Sequence, residues 1–505
     1  MSQINETAIR TPGVYTTEIP TLAPSVAQVS TAIPAFVGYT QKNITESGDL
    51  LLNAPTKIFS LKEYEEIFGF AENETGITVT ITKKMDGAVT PAKVISISGQ
   101  ATISQLSKHN MYYSLRLYFE NGGGPCYIVS VGLTTEQSSP LASPIESPTP
   151  TTVDAAALQI GLEALLAYDE PTIIVFPEGQ SIPGESDYYS LIGQAIEQCR
   201  ILQDRFTLVD IYDTGLVNTT TAINNFRNVL PHTSGFGKND YLNYAAAYYP
   251  NLKTTFDYSF LTSQVNVNIT TITYTTAATT STTAPPVRLN TLQTSDNAVY
   301  NLSLDKIRSQ LGPILPPSPA IAGIYAKVDG SRGVWKAPAN VSINSIYDVT
   351  DFITDAEQDD MNIDPGSGKS VNAIRPFSGK GILVWGARTL EGNSSEWKYI
   401  SVRRLFIMVE ESAKKATFQF VFEPNNANTW VKVRAMLENY LTLLWRQGAL
   451  AGAKPEHAFF VKCGLGQTMT AQDILDGKLI VEIGMAAVRP AEFIILRFMH
   501  KLQES

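Results

Sequence analysis

The segment 365–370, PGSGKS, comes nearest to a known chemical signature. Gly368, Lys369 and Ser370 match the end of a phosphate-binding loop, whose glycines bring backbone N–H groups to phosphate while Lys and Ser serve phosphate and Mg²⁺. The first glycine of that pattern belongs at position 363, where Ile363 stands instead. The preceding DAEQDDMNID is acidic and not a strong strand, so it would repel phosphate. A flexible loop is the better reading. Asp359, Asp360 and Asp364 offer the oxygens a hard cation takes, but a solvated acidic loop accounts for them better.

Other chemistry finds less support. Cys126, Cys199 and Cys463 make no metal-binding spacing with His109, His232, His457 and His500. Each cysteine sits in or beside an apolar run, which points to buried, reduced thiols. There is no Gly-x-Ser-x-Gly elbow, and no Gly-x-Gly-x-x-Gly follows a buried strand. Gly122–Gly124 precedes a strand, the wrong context for phosphate. No catalytic, cofactor or metal residue emerges, although a Ser/His/Asp site built from distant positions stays open. An α/β enzyme without a recognisable motif is therefore one alternative.

The elements that would position any site are clearer. Pro34–Thr40, Cys126–Val131, Thr172–Phe176 and Phe206–Ile211 are short runs apolar on both faces, as in strands buried inside a layered sheet. Between them, Ser60 and Glu63 form a capping box for a helix stopped by Gly69. Asp154 caps the helix through AAALQIGLEALLAY, and Asp187 the one ending near Cys199. This alternation implies an α/β body with a largely parallel sheet. Two β-rich insertions interrupt it. Residues 71–118 read as the strands ITVTITKK, AKVISISG and YYSLRLYF. Residues 258–287 carry no charge and are crowded with Thr, which fits exposed strands or a loose loop. Residues 138–152, rich in Pro, Ser and Thr, read as a linker. Further on, Asn428 or Thr429 caps a long helix from Trp430 to about Gln447, with Gly448 as its stop. Its apolar face carries Trp430, Val433, Leu437, Tyr440, Leu441 and Leu444. Lys432, Glu438, Asn439, Thr442 and Arg446 lie opposite.

Both chain ends read as strands: Val14–Ile19 and Glu492–Met499. A strand this apolar left at an edge invites aggregation, so it must pair within its own subunit or add to a neighbour's sheet. Backbone hydrogen bonds of roughly 0.5–1.5 kcal/mol each and about 1.5–3 kcal/mol for each buried Phe493, Ile494, Ile495 and Leu496 side chain offset ordering costs of ~1–2 kcal/mol per residue.

With 44% hydrophobic and 17% charged residues in 505, the chain is a folded multidomain protein. Net charge is −10, divided as −14 over residues 1–375 and +4 over residues 376–505. That acidic body argues against nucleic-acid binding, while the basic end suits an acidic protein partner. No secretory signal is seen, and no run approaches the roughly 18 apolar residues of a membrane span. Assembly in a cytoplasm is expected, with release by lysis or inside a larger particle.

Many segments together resemble contractile tail sheath proteins. They include TPGVYTTEIPTLAPSVAQVSTAIPAFVGYT (11–40), AGIYAKVDGSRGVWKAPAN (322–340) and VNAIRPFSGKGILVWGARTL (371–390). YISVRRLFIMVEES (399–412), FEPNNANTW (422–430), GALAGAKPEHAFFVKCG (448–464) and the ending RPAEFIILRFMHKLQES continue the likeness. The resemblance implies stacked six-subunit rings around an inner tube, with baseplate and terminal cap proteins as further partners, in a phage tail or phage-tail-like particle. It implies a 1–20 arm, an outer α/β body over 21–375, an inner α+β sheath domain over 376–488 and a 489–505 arm. The arms would add strands to neighbouring subunits through Val14, Tyr15, Ile19, Phe493, Ile495 and Arg497. Lys432, Asn439 and Arg446 are the candidate tube contact. Another structural part of the same machine, baseplate or tube-associated, is the second alternative.

Overall fold

A computed structural model describes residues 26–104, 106–135, 151–213, 215, 218–230, 241–276 and 278–495. Val14, Tyr15, Ile19 and Arg497 lie outside the described residues. The chain divides into two compact units, one of residues 30–407 with the chain from Arg489 onward, the other of residues 408–488 with the chain up to Val29.

The larger unit is built on a nine-stranded sheet. Its strand order is Val341–Ser342, Gly381–Val384, Val371–Phe377, Ala245–Tyr249, Phe206–Asp210, Ile173–Val175, Pro34–Thr40, Cys126–Leu133 and Thr56–Ile58. Every pairing from Val371–Phe377 across to Cys126–Leu133 is parallel. The outer strands join antiparallel. The four apolar runs anticipated from sequence are the centre of this sheet, and Pro34–Thr40, Ile173–Val175 and Phe206–Asp210 are buried at every position. Helices cover both faces of such a sheet, which is why its strands alternate no polar side.

Ser60 caps Leu61–Phe68 by accepting from the Glu63 amide, and Gly69 ends it at φ 86°. Asp154 caps Ala155–Ala164 through the Ala156 amide. Asp187, however, is not a cap: the helix Glu185–Leu202 starts after Gly184 and places Asp187 in its first turn. There a carboxylate still faces the positive helix end.

YYSLRLYF is also not a strand but most of the helix Met111–Glu120. Its aromatic composition favours strands, yet Met111, Ser114, Leu115 and Tyr118 recur at helical spacing and are all buried. This face packs on Ser318–Arg332. The approach is close: a Cβ on Gly323 would stand 2.5 Å from the Tyr118 carbonyl oxygen.

The two insertions, far apart in sequence, form one sheet. Its order is Thr279–Thr283, Asn266–Tyr274, Ile77–Asp86, Lys93–Ile103, with Val287–Arg288 pairing beside Asn266–Tyr274. Asn266–Tyr274 runs parallel to Ile77–Asp86 along its whole length. Beneath lies a separate small core of Ile77, Val79, Ile81, Val265, Val267, Leu289, Leu292, Val299 and Ile307. The Thr-rich stretch is thus strand, and Thr279–Thr283 is exposed throughout.

In the smaller unit, the helix Ala427–Arg446 buries Val433, Met436, Leu437, Tyr440, Leu441 and Leu444. Its cap is Asn426, not Asn428 or Thr429: the Asn426 side chain accepts from both of those amides. Gly448 follows the helix at φ 82°. Phe459–Lys462 and Glu482–Met485 form a two-stranded antiparallel sheet. The division between units falls at Ile407/Met408, inside the helix Ile400–Thr417. It falls later than residue 376 because Val371–Phe377 and Gly381–Val384 are strands of the large sheet.

Candidate functional site

The loop resembling a phosphate site has its chemistry turned inward. Lys369 and Ser370 are fully buried, so this part of the segment is not a flexible loop. Lys369 Nζ donates to the Arg227 and Leu230 carbonyls at 2.8 and 2.9 Å, closing the C-terminal end of Thr219–Val229 as cations do. Burial lowers its pKa to about 8, with Asp364 acting the other way. Asp364 accepts from the Ser367 amide at 2.7 Å and from the Ser367 hydroxyl. Arg227 stands 3.6 Å from the same carboxylate. Amides that would cradle phosphate are thus already committed to a carboxylate. Among the described residues, no group of three or more His, Cys, Asp or Glu is arranged to hold a metal, and Cys126, Cys199 and Cys463 are buried free thiols.

The basic character of residues 376–505 also turns out to be internal. Residues 408–488 carry 8 Lys+Arg and 8 Asp+Glu, so this part of the positive end is neutral. Arg388, Arg403 and Arg404 are each buried in the large unit. Arg404 meets Asp329 through two bonds of 3.0 and 2.6 Å and also donates to the Thr31 carbonyl. Arg403 lies over the rings of Tyr244 and Trp397. These charges hold the body together and are not displayed to an acidic partner.

Arg388 leads to the chain's C-terminal segment. Its guanidinium grips Glu492 from both sides, Nε to Oε1 at 2.9 Å and Nη2 to Oε2 at 2.7 Å. Asn362 Nδ2 adds a bond of 2.9 Å and the Tyr399 hydroxyl one of 3.3 Å. Burial pushes the Glu492 pKa up, but the bonds from Arg388 and Asn362 outweigh it and hold the carboxyl below its ordinary value. Immediately beyond, Phe493, Ile494 and Ile495 are 67%, 79% and 78% exposed and belong to no strand. The strand expected over Glu492–Met499 is therefore absent from Glu492 to Ile495 in the lone chain.

The small unit supplies two further surfaces. Lys432, Asn439 and Arg446 are exposed at intervals of seven residues along one line of Ala427–Arg446. The two-stranded sheet pairs Phe460 opposite Gly484, and each strand has one strand neighbour among the described residues. Nothing in local sequence pattern marks this pair as a sheet of its own, nor links Glu492 to Arg388; only the charge bordering an apolar run hints at an anchor.

Comparison with known proteins gives these surfaces a context. A family model described as the phage tail sheath C-terminal domain matches residues 393–500. The sheath of an extracellular contractile injection system, PVC, solved in its contracted state, is 30% identical. That match covers 98% of this chain and 99% of the other, with a TM-score of 0.61. A chain in the six-fold symmetrised baseplate of the anti-feeding prophage is 31% identical, covering 98% and 100%, with a TM-score of 0.59. The tail sheath protein of Vibrio phage KVP40 is 24% identical over 186 residues, which span 37% of this chain and about a quarter (26%) of that relative. No helix among the described residues is long and apolar enough to cross a membrane. Near-complete coverage at such identity, together with the matched C-terminal domain, places the chain in the contractile tail sheath family of phage tails and phage-tail-like injection systems.

Proposed function

We propose that the chain polymerises as stacked six-subunit rings around an inner tube, and that concerted repacking of these subunits drives the tube forward. One observation carries this reading: Phe493, Ile494 and Ile495 stand exposed directly after an anchored Glu492. Exposed apolar backbone of this kind is a ready strand for a neighbour's sheet. The two-stranded sheet of Phe459–Lys462 and Glu482–Met485 is the acceptor that suits it, since it can gain strands without losing any. The N-terminal residues Val14, Tyr15 and Ile19, with Arg497 at the other end, complete the proposed arms. The six-fold baseplate and contracted sheath of the similar proteins support the ring arrangement and the mechanical role.

Contraction on this reading is a passage between two discrete packings of folded bodies linked by arms. It calls for no reaction at an active site. Lys432, Asn439 and Arg446 are proposed to face the tube, with baseplate and cap proteins meeting the ends of the stack. Electron microscopy of the purified full-length protein tests the proposal. Helical or tubular polymers are expected, and deletion of residues 1–19 should abolish them while the body stays folded. Persistent monomers over a wide concentration range, with tube protein supplied, would defeat it.

A further inference from the structure

The two chain ends are secured in different compact units. On the N-terminal side, the Val29 amide donates to Ser412 Oγ at 3.1 Å, within the small unit. On the C-terminal side, the Val488 amide still bonds to the Ala449 carbonyl within that unit. Four residues later the chain is held by the large unit, at Glu492.

The Glu492 grip is built in depth. Arg388 has a side chain only 5% exposed, and its Nη1 donates to the Asn362 and Gly392 carbonyls at 3.1 and 3.3 Å. Its own amide donates to Asn372 Oδ1 at 2.8 Å, while Asn372 Nδ2 donates to the Ala247 carbonyl at 3.0 Å. Asn372 and Ala247 belong to adjacent parallel strands of the large sheet. A continuous series of bonds therefore runs from Glu492 through Arg388 and Asn372 to the middle of the body. Bidentate guanidinium–carboxylate geometry adds directional specificity to a strong pairing, and here the bonds from Arg388 Nη1 to the Asn362 and Gly392 carbonyls hold the guanidinium by contacts other than Glu492.

We propose that Glu492 is a positioning residue, the fixed root from which the C-terminal arm leaves, and that it passes the arm's tension into the nine-stranded sheet of the large unit instead of the small unit that precedes it in sequence. This rests on the arm reading above. The N-terminal arm, by contrast, pulls on the small unit. Each subunit is thereby held through both of its units.

The test compares polymers of full-length protein before and after a fixed mechanical shear, with lengths measured by electron microscopy. Glu492→Ala polymers are expected to form but to break, with mean length after shear falling about tenfold, the factor that ~1.4 kcal/mol of lost anchorage produces. Because Glu492→Ala leaves Arg388 without its buried counter-charge, the double variant Arg388→Met/Glu492→Met is measured beside it and is expected to fragment equally. If circular dichroism shows the single variant unfolded, the double variant decides. Sheared polymers of wild-type length from the folded variants would overturn the proposal. Ile495→Asp keeps the Glu492 grip and tests the arm separately: it should yield no polymers, and normal polymers from it would defeat the arm reading itself.

Discussion

Buried charge is where individual residues speak most plainly. Lys369 replaces the phosphate of a nucleotide site with two carbonyl oxygens of its own chain, so Mg²⁺–ATP should leave the melting temperature unchanged. Lys369→Ala should lower stability by about 1–3 kcal/mol, the cost of leaving buried acceptors unpaired; thermal melting with and without nucleotide measures both. A rise of several degrees with nucleotide would restore the phosphate-loop reading. Asp210 gives a pH signature. Burial raises its pKa to about 7, against hydrogen bonds from the Ser318 amide and hydroxyl, at 2.8 and 2.5 Å, which lower it. An acid raised in the folded state contributes stability that is fully present below its unfolded pKa of about 3.9 and is lost as pH rises through about 7. Glu74, raised to about 7 by burial, acts in the same direction. Asp210→Asn removes one such group, so its stability relative to wild type should climb from pH 4 to pH 7 and then level off. A difference independent of pH in urea unfolding would contradict this.

At the scale of elements, the close helix crossing at Gly323 makes a paired prediction. Gly323→Ala drives a Cβ against the Tyr118 carbonyl and should destabilise by about 1–3 kcal/mol. Gly330→Ala on the same helix meets nothing within 4 Å and should stabilise by up to ~1 kcal/mol. Denaturant unfolding of both variants checks the contrast. Asn426→Ala should cost about 0.5–2 kcal/mol by removing the cap of Ala427–Arg446.

These cases also show why some elements were legible in the sequence. Strands such as Phe206–Asp210 announce themselves because both faces are buried and local composition agrees with tertiary environment. Met111–Glu120 did not, because its aromatics satisfy strand propensity while its packing partner lies two hundred residues away. The cap at Asn426 was hidden among neighbours of equal capping ability, Asn428 and Thr429. The union of the two insertions was invisible locally, since the pairing of Ile77–Asp86 with Asn266–Tyr274 is set by long-range register. So was the Arg388–Glu492 grip, whose partners stand 104 residues apart.

For the whole molecule, charge is distributed differently from its reading along the chain. The positive end is neutral in the small unit, and its excess arginines are spent inside the large one. Lys432, Asn439 and Arg446 form an exposed line on Ala427–Arg446, a helix that also exposes Val431 and Leu443, so the double variant Lys432→Glu/Arg446→Glu should fold normally yet lose tube attachment. Co-sedimentation with assembled tube measures it, and undiminished attachment would move the contact elsewhere. The most direct test of the central claim is a cryo-EM map of polymers assembled from the full chain. It should show Phe493, Ile494 and Ile495 as a strand added to the Phe459–Lys462/Glu482–Met485 sheet of an adjacent subunit, with Glu492 still on Arg388 of its own. A map in which those residues fold back onto their own subunit, while polymers still form, would contradict the account.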